Sequence, residues 1–391
     1  MRRAPEGGAR ILLLGYIVGY PLGGMTWHTL HYVLGLARLG HDVWMVEDSD
    51  DWPHLYDPVA RSEVDYPDRG LAYVADVFER YGLDGRWAYH HAPDGRWAGS
   101  DAAVAAATAG DADVVINLSG IHPLRRWWEA TPIRLFVDTD PVFTQVRMLD
   151  EPSFAAHAGS HTAFATFGEC IPEGRSLVPD TGTDWRPTRQ PVCLDHWPPA
   201  PGPPEGAPWR TVMNWETYPP RVHAGVRYGS KSDSFAPFLD LPGQAGGEVR
   251  LEVASGQVDP ARAALEPHGW TVVDGQTVAA DPAAYRDFVT GASGEWSVAK
   301  DGYVRGRSGW FSERSAGFLA AGRPVVVQDT GFSEVLPTGA GLLAFTTAEE
   351  AVGALAAVRS SYRRHCDAAR QVAEAWFDSD TVLGRLLADA R

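Results

Sequence analysis

Short apolar runs separated by amphipathic stretches recur along most of this chain, the pattern of strands buried on both faces and joined by helices. The run from Arg10 to Ile17 comes first, Gly19 to Gly24 supply turn chemistry, and a helical spacing starts near Thr26 with Leu30, Val33, Leu34 and Leu36 on one face. Gly40 ends that helix, and Val43 to Val46 form a second buried strand that closes on Glu47, Asp48 and Asp50. This predicts a β-α-β unit, which the runs Val114–Leu118, Ile133–Val137 and Thr162–Phe167 extend into a parallel sheet. From His196 to Trp209 the chain is too rich in proline for helix or sheet. The rhythm restarts at Thr211–Asn214, Val249–Val253, Trp270–Val273, Trp296–Ala299 and Pro324–Val327, and the segment from Ala348 onward is helical, anchored by Trp376, Phe377, Val382, Leu383, Leu386 and Leu387. The expected architecture is α/β, with two doubly wound, Rossmann-like domains facing across a cleft. Residues 1–205 form the first domain, 206–370 the second, and 371–391 a C-terminal helix packed back on the first.

Composition narrows the function. A length of 391 residues suits two domains, and 45% hydrophobic with 21% charged residues is ordinary for a globular protein. The formal net charge of -16 opposes nucleic acid and anionic membrane surfaces, so any phosphate site has to be local. Cys170, Cys193 and Cys366 are odd in number and widely spaced, which reads as three structural thiols in a reducing compartment. Arg2, Arg3 and Arg10 before an apolar run imitate a secretory signal, but Gly15, Gly19 and Pro21 break the run, and the expectation is a cytoplasmic protein without a membrane anchor.

In open parallel sheets, ligands bind beyond the carboxyl ends of the strands, where helix N-termini present free N–H groups. Gly23 and Gly24 lie in the first such loop, and His28 follows one helical turn later; a tight turn and a core histidine are the plainer readings. In the second half, Lys231 precedes a helical stretch from Asp233 to Leu239 and is placed to reach a phosphate, a surface lysine being the alternative. Lys300, Arg305, Arg307 and Arg314 concentrate positive charge in an otherwise acidic chain. Ser308, Gly309 and Ser312 lead into the helical run Ala316–Ala321, so this segment is a candidate diphosphate cradle, with a basic surface loop as the alternative.

The run Gly23-Gly-Met-Thr-Trp-His28 with Gly40-His41-Asp-Val43 resembles the opening of glycogen-synthase-like glycosyltransferases. Leu319 to Gly331, then Ser333-Glu-Val-Leu and Gly341-Leu-Leu-Ala-Phe345, are similar to the donor-side segment of the same enzymes. The likeness covers the opening ~40 residues and roughly 150 at the C-terminal end. It implies a GT-B fold and a nucleotide-diphosphate sugar donor. It places Gly23 and Gly24 under the sugar phosphate, Lys231 on a donor phosphate, and Gly331 and Glu334 near the donor sugar or diphosphate. In one respect the chain departs: Gly309 and Gly317 stand where that family carries two glutamates, so the ribose has to be held otherwise, through Glu313. The run Ser312-Glu-Arg-Ser315 is closer to spore-maturation-like glycosyltransferases, and the resemblance assigns a superfamily without a subgroup.

Sugar transfer of this kind needs the departing nucleoside diphosphate stabilised, here by Lys231, Lys300 and Arg314 without metal or other cofactor. If configuration inverts, Asp138, Asp140, Glu169 or His28 takes the acceptor proton; inversion and retention both stay open. Asp138-Thr-Asp140 also reads as the Asp-x-Asp of metal-dependent transferases or as an acidic loop capping a helix. The expected partners are a UDP-, GDP-, ADP- or TDP-linked sugar and a small, natural-product-like acceptor. Trp27, Trp127 and Trp128 are candidate stacking surfaces, and an acidic first half tolerates a cationic acceptor. Monomer and homodimer are both open. The rival reading is a GT-B protein that binds or epimerises a nucleotide sugar. If Arg314 grips the diphosphate, Arg314→Ala weakens nucleotide binding by roughly 1.5–3 kcal/mol, as calorimetry would show.

Overall fold

A computed structural model of the chain describes residues 8–50, 55–203, 205–247 and 249–391; Arg2 and Arg3 lie outside them. The first half contains β1 (Arg10–Leu14), β2 (Asp42–Asp48), β3 (Trp87–His91), β4 (Arg96–Gly99), β5 (Val114–Leu118), β6 (Ile133–Asp138), β7 (Ala163–Thr166) and β8 (Arg186–Pro187). They form one sheet in the order β8-β7-β6-β5-β1-β2-β3-β4, parallel except for β4 against β3. The second half contains β9 (Trp209–Met213), β10 (Leu251–Ser255), β11 (Thr271–Asp274), β12 (Gly294–Ser297), β13 (Val325–Gln328) and β14 (Leu342–Phe345), all parallel in the order β11-β10-β9-β12-β13-β14. Both sheets are doubly wound α/β, as the apolar runs predict. Helices cover both faces, so Ile11 to Leu14 of β1 and Val325 and Val326 of β13 are almost wholly buried.

Each sheet reverses its winding once, between β1 and β5 and between β9 and β12. At such a point adjacent helices leave on opposite faces and open a crevice at the carboxyl ends of the strands. The two crevices face one another, and the site lies between them.

Where strands differ from expectation, buried charge is the reason. β10 and β12 each begin or run about two residues away from their predicted positions because Glu252 and Glu295 interrupt the apolar pattern. Both are held inside the sheet by arginines, Glu252 by Arg210 at 2.7 Å and Glu295 by Arg314. β3, Trp-Ala-Tyr-His-His, hides behind its histidines, one of which, His90, is buried on Asp48. Two short ribbons escaped prediction because each strand is three residues long and buries at most one side chain, Leu55 in the first ribbon and Tyr228 in the second: Leu55–Asp57 with Ser62–Val64, and Arg221–His223 with Val226–Tyr228.

The proline-rich stretch runs between the last strand of one sheet and the first of the other. Beyond β14, helices Ala348–Ser360 and Tyr362–Trp376 stay with the second half, the latter on helix Glu313–Ala320. The chain then returns to the first half at Phe377, whose carbonyl accepts from Val192 N at 2.7 Å, and helix Ser379–Asp389 lies along the first helix, Gly23–Arg38. Contact with residues before 205 begins with Arg370, which donates to Trp197 O at 2.7 Å, and with Trp376, whose ring lies under Arg189 at 5.1 Å. Gly35 admits that contact, since a Cβ there would stand 2.5 Å from Leu383 Cδ1, and Arg38 clamps Asp380 at 2.8 Å. Among the described residues no helix is long and apolar enough to cross a membrane.

Gly35→Val should overfill this contact at about 1–3 kcal/mol. The expected readout is faster amide exchange across Ser379–Asp389 and a lower melting temperature; unchanged exchange would show that the terminal helix is held elsewhere.

Candidate active site

Two cavities occupy the cleft. The first cavity, about 670 Å³, lies at the carboxyl ends of β1, β2, β5 and β6 and is walled by Glu47, Asp48, Leu118, Thr139 and Asp140. The other, about 590 Å³, lies between the start of the first helix and the ends of β9, β10 and β11. Met25, Thr217 and Lys300 line both, so the cavities meet at those residues.

Lys231, Glu313 and Arg314 line the second cavity. Burial, together with the positive charge of Arg314, pushes the Lys231 ammonium down to about 7, close to its titration point at neutral pH. Arg314 is buried, and it spends its fork on Glu295, on Val212 O at 2.8 Å and on Ser297 Oγ at 3.0 Å. Its backbone N donates to Ser312, the N-cap of helix Glu313–Ala320, at 3.2 Å. Glu295 Oε2 has no hydrogen-bond partner among the described residues although it is buried, which makes this ion pair costly to disturb. Gly24 opens onto the same cavity, with room for a Cβ only at 3.3 Å from the Tyr285 ring. A ribbon of the first half closes the cavity's far wall. Tyr56 bonds Gln276, Arg61 pairs with Asp274, and Tyr20 stacks on Tyr56 at 5.0 Å between ring centroids.

At the junction, Lys300 Nζ donates to Asp140 Oδ1 at 2.8 Å and to Tyr218 OH at 2.6 Å, and the ammonium lies 5.0 Å from the Phe143 ring centroid. Tyr218 and Tyr303 also donate to Asp140, whose negative charge, added to burial, drives both phenols far up. Asp140 is presented by a strained loop, with Val142 at φ 75, a region that a β-branched residue seldom enters. Asp138 fastens the loop: its carboxylate accepts from Thr144, Gln145, Thr166 and the Asp140 backbone.

His28 lines the first cavity with Nδ1 2.5 Å from Gln190 Oε1. Burial lowers its pKa, so the ring is neutral, and an Nδ1–H donated to Gln190 leaves the lone pair on Nε2. Glu47, on the same wall, accepts from the backbone N–H groups of Ile17, Val18 and Gly19, which pull its carboxyl down while burial pushes it up, to about 7.

The structure thus gathers His28, Asp140, Gly24, Lys231, Lys300, Glu313 and Arg314 around one cleft. The other expected positions line neither cavity. Asp138 is fully buried and saturated, so Asp138-Thr-Asp140 does not present a pair of open carboxylates. Glu169 is buried on Arg189. Gly23 packs on the second half, its N–H donating to Ala279 O at 2.7 Å. Ser308, Gly309 and Gly331 form a seam around Cys170: Cys170 N donates to Ser308 O at 3.1 Å, and Gly309 and Gly331 take φ of 79 and 96. Ser312 borders only a void of about 10 Å³. Glu334 sits on the outside of that seam with Arg307 and Arg175. Trp27 and Trp128 are core, Trp27 donating to Pro282 O at 2.8 Å, and Trp127 packs on His90 and Trp97. Tyr20, Tyr56, Tyr218 and Glu47, all on the cleft, carried no recognisable pattern.

No family model matches the sequence, and no curated protein matches it. Solved structures match along the whole chain. AviGT4, a glycosyltransferase involved in avilamycin A biosynthesis, superposes with a TM-score of 0.52 at 16% identity, covering 98% of this chain and 97% of its own. Alr3699/HepE of Anabaena, in complex with UDP and glucose, gives 0.58 at 10% identity over 97% and 98%. An alpha-glucosyltransferase in complex with UDP-glucose and DNA containing an abasic site gives 0.57 at 11% over 98% and 100%. The fold is GT-B. Within it, the second cavity lies in the half that ends in β14, and the first cavity in the half that begins with β1.

If a diphosphate enters beside Lys231, that lysine takes up a proton, because a nearby anion raises a pKa that starts at about 7. Affinity for UDP should then be highest at or below pH 7 and fall above it; calorimetry at pH 8 in two buffers of different ionisation heat should show proton uptake, and none would place the diphosphate elsewhere. The unfolded chain, with its lysine at the ordinary 10.5, binds the extra proton between pH 7 and 10.5, so this residue's contribution to stability rises with pH in that window. Lys231→Met should accordingly raise the melting temperature at pH 7 by about 2–4 °C while weakening UDP binding. Arg314→Ala is now expected to cost about 3–5 kcal/mol of stability, since it strands the Glu295 charge, so its effect on affinity is read in the Glu295→Gln background.

Proposed function

We propose that this protein transfers a glycosyl group from a nucleoside-diphosphate sugar, bound in the second cavity, to a small-molecule acceptor bound in the first. The observation that carries the reading is the buried Lys231 ammonium, near its titration point beside Arg314, in a cavity that opens through Lys300 onto a second one of substrate size. A site that lowers an ammonium's proton affinity in this way stabilises an arriving or developing anion strongly. UDP in complex with neighbours of the same fold supports a nucleotide donor. Glu313, on the cavity wall, is the residue in reach of a ribose.

In this mechanism Lys231 and Arg314 take the charge of the departing diphosphate, and the N-terminus of helix Glu313–Ala320 adds its dipole. These groups make a metal unnecessary, and the saturated Asp138 favours that view. Asp140 already accepts three hydrogen bonds and is a poor base. His28, neutral and with Nε2 making no hydrogen bond among the described residues, is the better candidate for the acceptor proton. The acidic chain argues for small-molecule biosynthesis rather than action on a nucleic acid, and the three widely spaced cysteines for a reducing, cytoplasmic setting.

Purified protein given UDP-, GDP-, ADP- and TDP-linked sugars should transfer the sugar to an acceptor or slowly hydrolyse one donor. Donor binding with neither outcome overturns the proposal, and epimer formation without acceptor would establish the rival isomerase. For His28→Ala the expectation is a loss of about 10²–10⁴-fold in kcat at unchanged UDP affinity. An unchanged kcat would remove His28 as base and favour retention.

A further inference from the structure

One corner of the acceptor-side cavity carries more positive charge than the surrounding fold uses. Arg147, on helix Phe143–Asp150, and Arg221, on the ribbon sent over by the second half, both line this cavity. Both pair with a single carboxylate, Arg147 Nε with Glu151 Oε2 at 3.2 Å and Arg221 Nη1 with Glu151 Oε1 at 2.6 Å. Glu151 does not line the cavity. Two guanidinium groups on one carboxylate leave one positive charge over, and the terminal nitrogens of Arg147 with Nε and Nη2 of Arg221 donate no hydrogen bond among the described residues. The Arg147 plane is held over the Phe154 ring at 3.7 Å, which fixes the direction of its free edge.

Nearby carboxylates do not cancel this surplus. Asp150 lines neither cavity and is engaged by His223 at 2.9 Å. On the other walls, Asp48 is matched by Arg125 at 2.8 Å and His90 at 2.7 Å, Glu47 by three backbone N–H groups, and Asp140 by Lys300. Asp50 is exposed, where solvent and salt weaken its field.

We propose that the acceptor bears a negatively charged group, a carboxylate or a phosphate, and docks it on Arg147 and Arg221. This rests on reading the first cavity as the acceptor site, and it reverses the expectation of a cationic acceptor drawn from the acidity of the first half. Paired guanidinium edges suit either anion, since each presents parallel N–H donors to two oxygens. Arg147 belongs to one half and Arg221 to the other, so the clamp is complete only when the halves are closed, and the acceptor's charge helps to close them.

Calorimetric titration of the full chain, with UDP present, against glucose, glucuronate and glucose 6-phosphate tests this. At low salt at least one charged sugar should bind about tenfold or more tightly than glucose. The preference should shrink on adding salt, and it should be largely lost in Arg221→Gln and in Arg147→Gln, each checked for folding by its melting temperature. Preference for glucuronate alone identifies a carboxylate, and for glucose 6-phosphate alone a phosphate. Equal binding of the three sugars, no binding of either charged one, or a preference that survives both substitutions overturns the proposal. Failure of every donor to react would instead count against glycosyl transfer and leave this comparison intact.

Discussion

The carboxylate of Asp140, just beyond β6, takes hydrogen bonds from Lys300, Tyr218 and Tyr303, three side chains of the opposite half. Much else is arranged to make that contact possible. Asp138 is spent on holding the loop in shape, Val142 accepts an unfavourable backbone angle, and Phe143 turns its ring toward the ammonium. A partly buried ammonium and carboxylate each need the other, since either alone in this setting would be a desolvated charge. The pair therefore sets the distance between the two sheets at the point where their cavities join.

The second cavity shows the opposite economy. Lys231 is buried next to another cation, and Glu295 keeps one oxygen unpartnered inside the sheet. Neither arrangement favours the folded chain. On the proposed function, this is stability given up where binding of an anion has to be strong.

The sheets were legible because strands covered on both faces must be apolar, and the runs at β1, β2, β5, β6 and β13 obey that. Legibility blurred where an ion pair replaced apolar contact inside a strand, as at Glu252 and Glu295, and failed where a strand was three residues long with at most one buried side chain, as in the ribbons. The same division holds for the site. Lys231 and Arg314 stood out as cations beside helix starts in an acidic chain, and they do line the cleft. Gly309, Gly331 and Glu334 shared their neighbourhood in sequence but face the seam around Cys170, because a motif fixes which residues are adjacent in the chain and not which side of a helix start faces the ligand. Arg221 and Tyr56 had no signal at all: their roles come from partners in the other half, Tyr56 meeting Gln276 across 220 positions.

The two ribbons run in opposite senses across the cleft. The first half sends Tyr56 and Arg61 to the wall of the second half's cavity, and the second half sends Arg221 to the wall of the first's. Each half thus carries part of the other's cavity wall. Two-domain enzymes are often pictured as a donor module and an acceptor module that evolution can recombine freely. In this chain a recombination at the proline-rich link would exchange one wall of each cavity along with the domain, so a new first half would arrive with a foreign wall on the second half's cavity, and the two cavities are bound to change together.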